Sequence, residues 1–478
     1  MIEEHTPALR SGWFLRTVLF LCLLIAVYFI LVSTASFWPK GRLDAHLKEA
    51  FSLLNQEGRS WMPFGTMPPL MGDGEALMLN ITGTLDPGEP VRSAIRMNVS
   101  YAPEDTAGLY GGLHDLEKFV EGKATMQQSY ARYWHGYTVV LRPLLSVMTF
   151  PDVRKLSFFC LMTLFSAVMI LLVHRADWVA ALSFAVAMTW GSLPLPAFSM
   201  AYMPGFAIAL ILMCAILYWN IKDEESLVRL FLLAGSLTAF LDFLITPVIT
   251  FTLPLLAWLL PDLERRPHWD WRRVKSILLL GVVWSAGYLL TWAAKWGLAD
   301  IVLGEGLVRE AVNQILLRTG GAEGMTFFDR MFAVIKNVYV MIPFSVAVSG
   351  GKRMSEVIAA VIYQIRDAEN LTWFDKLTLM MKEASTLLPS SIFLGLIVTA
   401  LVLTIYGDQQ RETAANRCAW IFFSGIFVLD SLLLVFCRGQ SLHYPLFFRV
   451  SRSTLVCLAV SDIAAHHEET QRGVKRLQ

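Results

Sequence analysis

Long apolar runs alternate with short charged stretches along most of this chain, at the spacing of membrane spans. As an α-helix, roughly 20 mostly apolar residues cover a hydrocarbon core of about 30 Å. Runs approaching that length lie at about 13–36, 156–173, 178–196, 202–219, 229–244, 247–261, 276–296, 389–406, 418–437 and 453–465. The pattern predicts an all-α polytopic membrane protein with about ten transmembrane helices. One irregularity interrupts it: a large and more polar insert, 38–155, follows the first span directly, before the dense bundle resumes. Its opening, RLDAHLKEAFSLLNQEG, repeats Leu43, Leu47, Ala50, Phe51 and Leu54 at helical spacing. That spacing predicts an amphipathic helix lying on the membrane surface. Gly- and Pro-rich turns follow (MPFGTMPPLMGDG, LDPGEP), and VRSAIRMNVSYA alternates like a short strand.

The chain divides accordingly. An N-terminus with the first span (1–37) precedes the insert (38–155), the bundle (156–296), a second polar segment (297–388) and the C-terminal spans with a tail (389–478). Ten spans place both termini on one side. Arg16, Arg175, Lys222, Arg229, the run from Arg265 to Lys275, Arg411, Arg417 and Arg472 then share the N-terminal side. The excess of positive charge on cytoplasmic loops makes that side cytoplasmic and the insert extracytoplasmic. This is the topology of a multi-pass protein of the cell inner (plasma) membrane. The apolar segment 331–348 contains Lys336 and reads as an interfacial or re-entrant helix.

Composition removes several classes. A formal net charge of +1 offers no electrostatic case for nucleic acid. All six cysteines lie in or beside apolar segments, which argues against a disulfide framework and a thiolate metal site. The first apolar run is too long for the core of a cleaved signal peptide. No P-loop, dinucleotide-binding glycine motif, HExxH or GxSxG stands in a usable context, so no cofactor is signalled and divalent-metal dependence stays open. Asn80 (NIT) and Asn98 (NVS) match glycosylation acceptors.

Candidate chemistry collects in the insert and at the matching ends of the spans. Asp73 and Glu75, in GDGEALMLN, stand between a turn-rich approach and an apolar run. Acids there suit a helix N-terminus, by capping and by the helix dipole. A carboxylate facing a cleft could instead be a general base on a hydroxyl. The segment YARYWHGYTVVLRP packs Arg132, Trp134, His135, Tyr137 and Arg142 together. It reads either as an interfacial belt or as a phosphate-recognition site, because guanidinium presents a planar fork to phosphate oxygens. Lys295 ends the seventh span between Trp292 and Trp296, and RGQSLHYPLFFRVSR adds His443 and Arg449 on the same side. Asp242 lies within a span near Pro247 and Pro254, where an ionisable group faces protein or a water-filled path.

The arrangement of one span, a large acidic outer loop with surface helices and then a bundle resembles the GT-C class of multi-pass glycosyltransferases. DGEALMLN, YARYWHGY, LDFLITP and SLHYPLFFR look like elements of bacterial members of that class. The resemblance implies transfer of a sugar from a polyprenyl-phosphate donor to an extracytoplasmic glycan or lipid acceptor, with inversion at the anomeric carbon. It implies that Asp73 or Glu75 takes the acceptor proton, with Asp44 as a fallback because it lies closer to the first span. Arg132, His135, Lys295, His443 and Arg449 would hold the lipid phosphate. Two other classes stay open. In a transporter or flippase for a lipid-linked or anionic solute, Asp242 and Asp430 would line a midplane path. In a non-enzymatic envelope assembly protein, the insert would dock a partner.

Overall fold

The first helix is apolar along most of its length, with Arg16 its one charged residue. The computed structural model accordingly forms α1 over Gly12–Phe37. The structure describes residues 12–303 and scattered residues to 313, apart from 59, 62–69, 104–111, 177, 191–197, 242–246 and 266–270. These residues are mostly helical, and three helices among them are long and apolar enough to cross a membrane. They are Leu15–Phe37 in α1, Phe150–Arg175 (α7), and Arg272–Leu303 within α12 (Trp271–Leu303). Shorter apolar helices pack among them: α8 (Trp178–Trp190), α9 (Met203–Trp219) and α11 (Ile249–Arg265), with α10 (Glu224–Leu241) beside α12. The candidate spans 389–406, 418–437 and 453–465, and segment 331–348, lie outside the described residues.

Between α1 and α7 the insert folds as a helical layer with two small hairpins. Its helices are α2 (Leu43–Glu57), α3 (Gly72–Thr84), α4 (Pro90–Arg96), α5 (Gly112–Val120) and α6 (Thr138–Val147). Strands β1 (Ser60–Trp61) and β2 (Leu70–Met71) pair antiparallel, as do β3 (Val99–Tyr101) and β4 (Met126–Gln128). In α2 the periodicity holds: Leu43, Leu47, Ala50 and Leu54 are all buried. Their partner, however, is protein. The apolar face packs on α3, α5, α6 and α7 rather than resting on the membrane surface. Hydrophobic spacing says which face seeks cover and is silent on what covers it.

VRSAIRMNVSYA also departs from its alternation. Pro90 supplies a first-turn residue whose missing N–H costs a helix nothing, and α4 runs to Arg96. Met97, at φ 49°, ends it, and only then does β3 begin. α3 is the hub of the insert, buried on nearly every side. Asn80, the first glycosylation triplet, is fully buried. Its amide donates to the Ser100 carbonyl and accepts from the Ser100 N–H, both at 2.9 Å, so it fastens β3 to α3. Asn98 is half-buried and donates to Gln127.

Small residues and hydroxyls hold the bundle. At the crossing of α10 and α12, Gly235 meets the Trp284 main chain and Gly287 meets the Leu232 main chain, too close on both sides for any Cβ. Such contacts are how helices associate where lipid removes the hydrophobic drive. Tyr28, Ser236 and Thr291 join α1, α10 and α12 through hydroxyl bonds of 2.8 and 3.2 Å. Thr238, Thr250 and Trp284 join α10, α11 and α12 through bonds of 2.6 and 3.1 Å. Tyr28 also stacks on Phe240 at 4.1 Å.

Candidate functional site

The first turn of α3 carries both predicted acids, because β2 and Gly72 deliver the chain into a helix whose N-terminus favours negative charge. Their surroundings separate them. Asp73 is half-buried, and its Oδ1 accepts the N–H of Leu113 at 3.1 Å, capping the first turn of α5. Gly112 lies so near the Asp73 carbonyl that a side chain there would collide. Glu75 is 1% exposed and engaged on both oxygens: Oε2 accepts from Arg154 Nη2 at 2.6 Å and Oε1 from the Met200 N–H at 3.0 Å.

Arg154 completes a triad. From the base of α7 it also grips Glu57, the last residue of α2, through bonds of 2.6 and 3.0 Å, and lies 4.7 Å over the Phe150 ring. One guanidinium thereby ties α2 and α3 to α7. A general base needs a lone pair presented to its substrate. Glu75 is therefore built as framework. Sequence reasoning missed Glu57 and Arg154. An arginine at the start of a span reads as snorkelling, and its partner in α3 lies 79 positions away.

The aromatic-basic segment forms a loop, 129–137, between β4 and α6. Tyr130 donates its N–H to the Arg96 carbonyl, and Gly136 donates to the Phe240 carbonyl at 2.9 Å. A Cβ at Gly136 would sit 2.6 Å from Phe240. His135 turns the chain at φ 51° and is buried. Its Nε2 lies 3.1 Å from the Tyr130 carbonyl, which can only accept, so Nε2 carries the proton. Nδ1 then accepts from the Tyr137 hydroxyl at 3.2 Å. Burial pushes the His135 imidazole down to about 3, and the charge of Lys295 adds to it. Burial likewise raises the Tyr137 phenol. The ring is neutral near pH 7 and both its nitrogens are engaged.

Lys295 is fully buried. Its ammonium donates to the carbonyls of Ile95 at 2.9 Å and Ala94 at 3.3 Å, and stands 5.5 Å over the Trp134 ring. Those carbonyls end α4, where a cation meets unsatisfied acceptors and the negative end of the helix dipole. Arg142, also fully buried, does the same for α1 and α3, donating to the carbonyls of Trp38, Thr82 and Leu85. Arg132 stays half-buried, its guanidinium 4.8 Å over Tyr130.

The structure thus brings Arg132, His135 and Lys295 together, but turns His135 and Lys295 inward onto protein carbonyls. Asp73 and Glu75 gather elsewhere, around α5, Arg154 and Met200. Asp242, His443 and Arg449 lie outside the described residues. Among the described residues no group of three or more His, Cys, Asp or Glu side chains could hold a metal ion. A small pocket lined by Arg175, Lys222, Trp258 and Asp262 sits at the far end of α7 from Arg154. No family model, curated protein or solved structure matches the chain.

Proposed function

We propose that the protein is a membrane glycosyltransferase that moves a sugar from a polyprenyl-phosphate donor to an acceptor at the face bearing the insert. That face is read as extracytoplasmic, with about ten spans and both termini cytoplasmic. One observation carries the reading. The polar insert after the first span is fixed on the bundle by buried charge, and its central helix starts with an acid, Asp73, that remains half-buried. An enzyme acting on a lipid-borne substrate needs such a wall, held in register with the bilayer, because a reacting group displaced by about 1 Å can lose about a hundredfold in rate.

In this reading Asp73 takes the proton of the acceptor hydroxyl as its oxygen attacks the anomeric carbon. The bond from that carbon to the lipid-phosphate oxygen breaks, and the phosphate leaves with the electron pair. Glu75, His135 and Lys295 serve as framework, with Glu57, Arg142 and Arg154.

The test is transfer itself. Membranes from cells making the protein are supplied with polyprenyl-phosphate-linked radiolabelled sugars, and label is followed into the acceptor fraction. Label should move in wild-type membranes and in none carrying Asp73→Asn. Equal transfer by the Asp73→Asn protein removes Asp73 from the chemistry, and absence of transfer from every donor offered to wild type removes the activity.

A further inference from the structure

Trp292 and Trp296 stand one turn apart on α12, half-buried, with ring centroids 4.6 Å apart. A tryptophan of an interfacial belt keeps its N–H for headgroups and water. Here both indole N–H groups donate to a single acceptor within the protein, the Arg132 carbonyl, at 2.9 and 3.0 Å. A carbonyl oxygen has two lone pairs, so the arrangement is complete. These bonds fix the orientation of both rings. Tyr133 joins the same aromatic cluster. It is half-buried and stacks on Trp292 with planes 8° apart and centroids separated by 5.9 Å. The Arg132 guanidinium lies across Tyr130, the residue two positions before it in the same loop.

We infer that Tyr133, Trp292 and Trp296, with Arg132 beside them, form a platform for one face of a pyranose, the acceptor sugar of the proposed transferase. A pyranose has a face of C–H groups and a rim of hydroxyls. The C–H face suits the negative face of an aromatic ring, and the rim hydroxyls accept from guanidinium, which has only donors. Rings already held by hydrogen bonds lose little freedom when the sugar arrives. A lipid tail would require no fixed ring planes. The assignment as acceptor rests on the transferase reading, whereas the binding of sugar does not.

The full chain in nanodiscs provides the test. Octyl β-glucoside and octyl tetraoxyethylene glycol, which share an alkyl chain, are compared below their micelle concentrations by saturation-transfer NMR. Saturation should reach the C–H protons of the glucose ring. Tyr133→Ala and Trp292→Leu should each weaken glucoside binding about fivefold, the factor for losing one ring contact. Tyr133→Phe, which keeps the ring, should bind as wild type does. Saturation confined to the alkyl protons, or equal glucoside binding by Tyr133→Ala and Tyr133→Phe, would overturn the platform. If Trp292→Leu fails to fold, the two Tyr133 variants decide. Glucoside binding by a chain that transfers no sugar sinks the transferase and keeps the platform; transfer with no contact to the glucose ring does the reverse.

Discussion

The insert is joined to the bundle twice, and the two junctions differ in kind. At the first, Arg154 meets two carboxylates, Glu57 and Glu75, so charge answers charge. At the second, Lys295 and Arg142 meet main-chain carbonyls at the ends of α1, α3 and α4, so charge answers helix termini. The difference lies in what remains when the cation goes. At the first junction two carboxylates would stay behind in a buried site. At the second only carbonyls would remain, and those tolerate loss of a donor far better than an ion tolerates loss of its counter-ion.

The largest effect should therefore follow Arg154→Met, a loss of about 3–5 kcal/mol, the range for breaking a buried ion pair by removing one partner. Thermal unfolding of the detergent-solubilised chain measures it. Adding Glu57→Gln and Glu75→Gln to that variant should recover part of the loss, because the stranded charges are gone. Failure to recover would mean that packing, not charge, makes the first junction. At the second junction Gly136→Ala should cost about 1–3 kcal/mol, since the new methyl must displace the end of α10. Lys295→Met should cost only about 1 kcal/mol, the worth of ordinary hydrogen bonds offset by one fewer buried charge. A loss as large as that of Arg154→Met would erase the contrast between the junctions.

Acid sharpens the comparison further, since the second junction contains His135. Its folded pKa, about 3, lies below the ordinary histidine value of 6.5. Burial as the neutral ring thus contributes stability that is present above about pH 6.5 and is lost as pH falls from there toward 3, by about 1.4 kcal/mol per pH unit. His135→Asn, which accepts the positive φ, should flatten that part of the stability profile. An unchanged slope would mean that His135 is already protonated in the folded chain.

Particular residues show how far the sequence could be read. The apolar face of α2 was legible from its spacing, whereas its partner was not, because burial against protein and burial against lipid leave the same periodicity. The short helix in VRSAIRMNVSYA was hidden by alternating apolar residues, although Pro90 marked its first turn. Asp73 and Glu75 looked equivalent, since what divides them is Arg154, Leu113 and Met200, all distant in the chain. Lys295 and His135 looked like anion ligands because their real partners are main-chain carbonyls, which no residue type announces. The positive φ at His135 leaves no sequence signal either.

The smallest effect on folding should come from Asp73→Asn, which keeps an acceptor for the Leu113 N–H, and the same substitution should have the largest effect on function. Protein abundance and envelope glycolipids, measured side by side in a deletion strain restored with Asp73→Asn or with wild type, test this most directly. The account predicts normal amounts of the Asp73→Asn protein and a glycolipid profile matching that of the deletion strain. Normal protein with the wild-type glycolipid profile would contradict it.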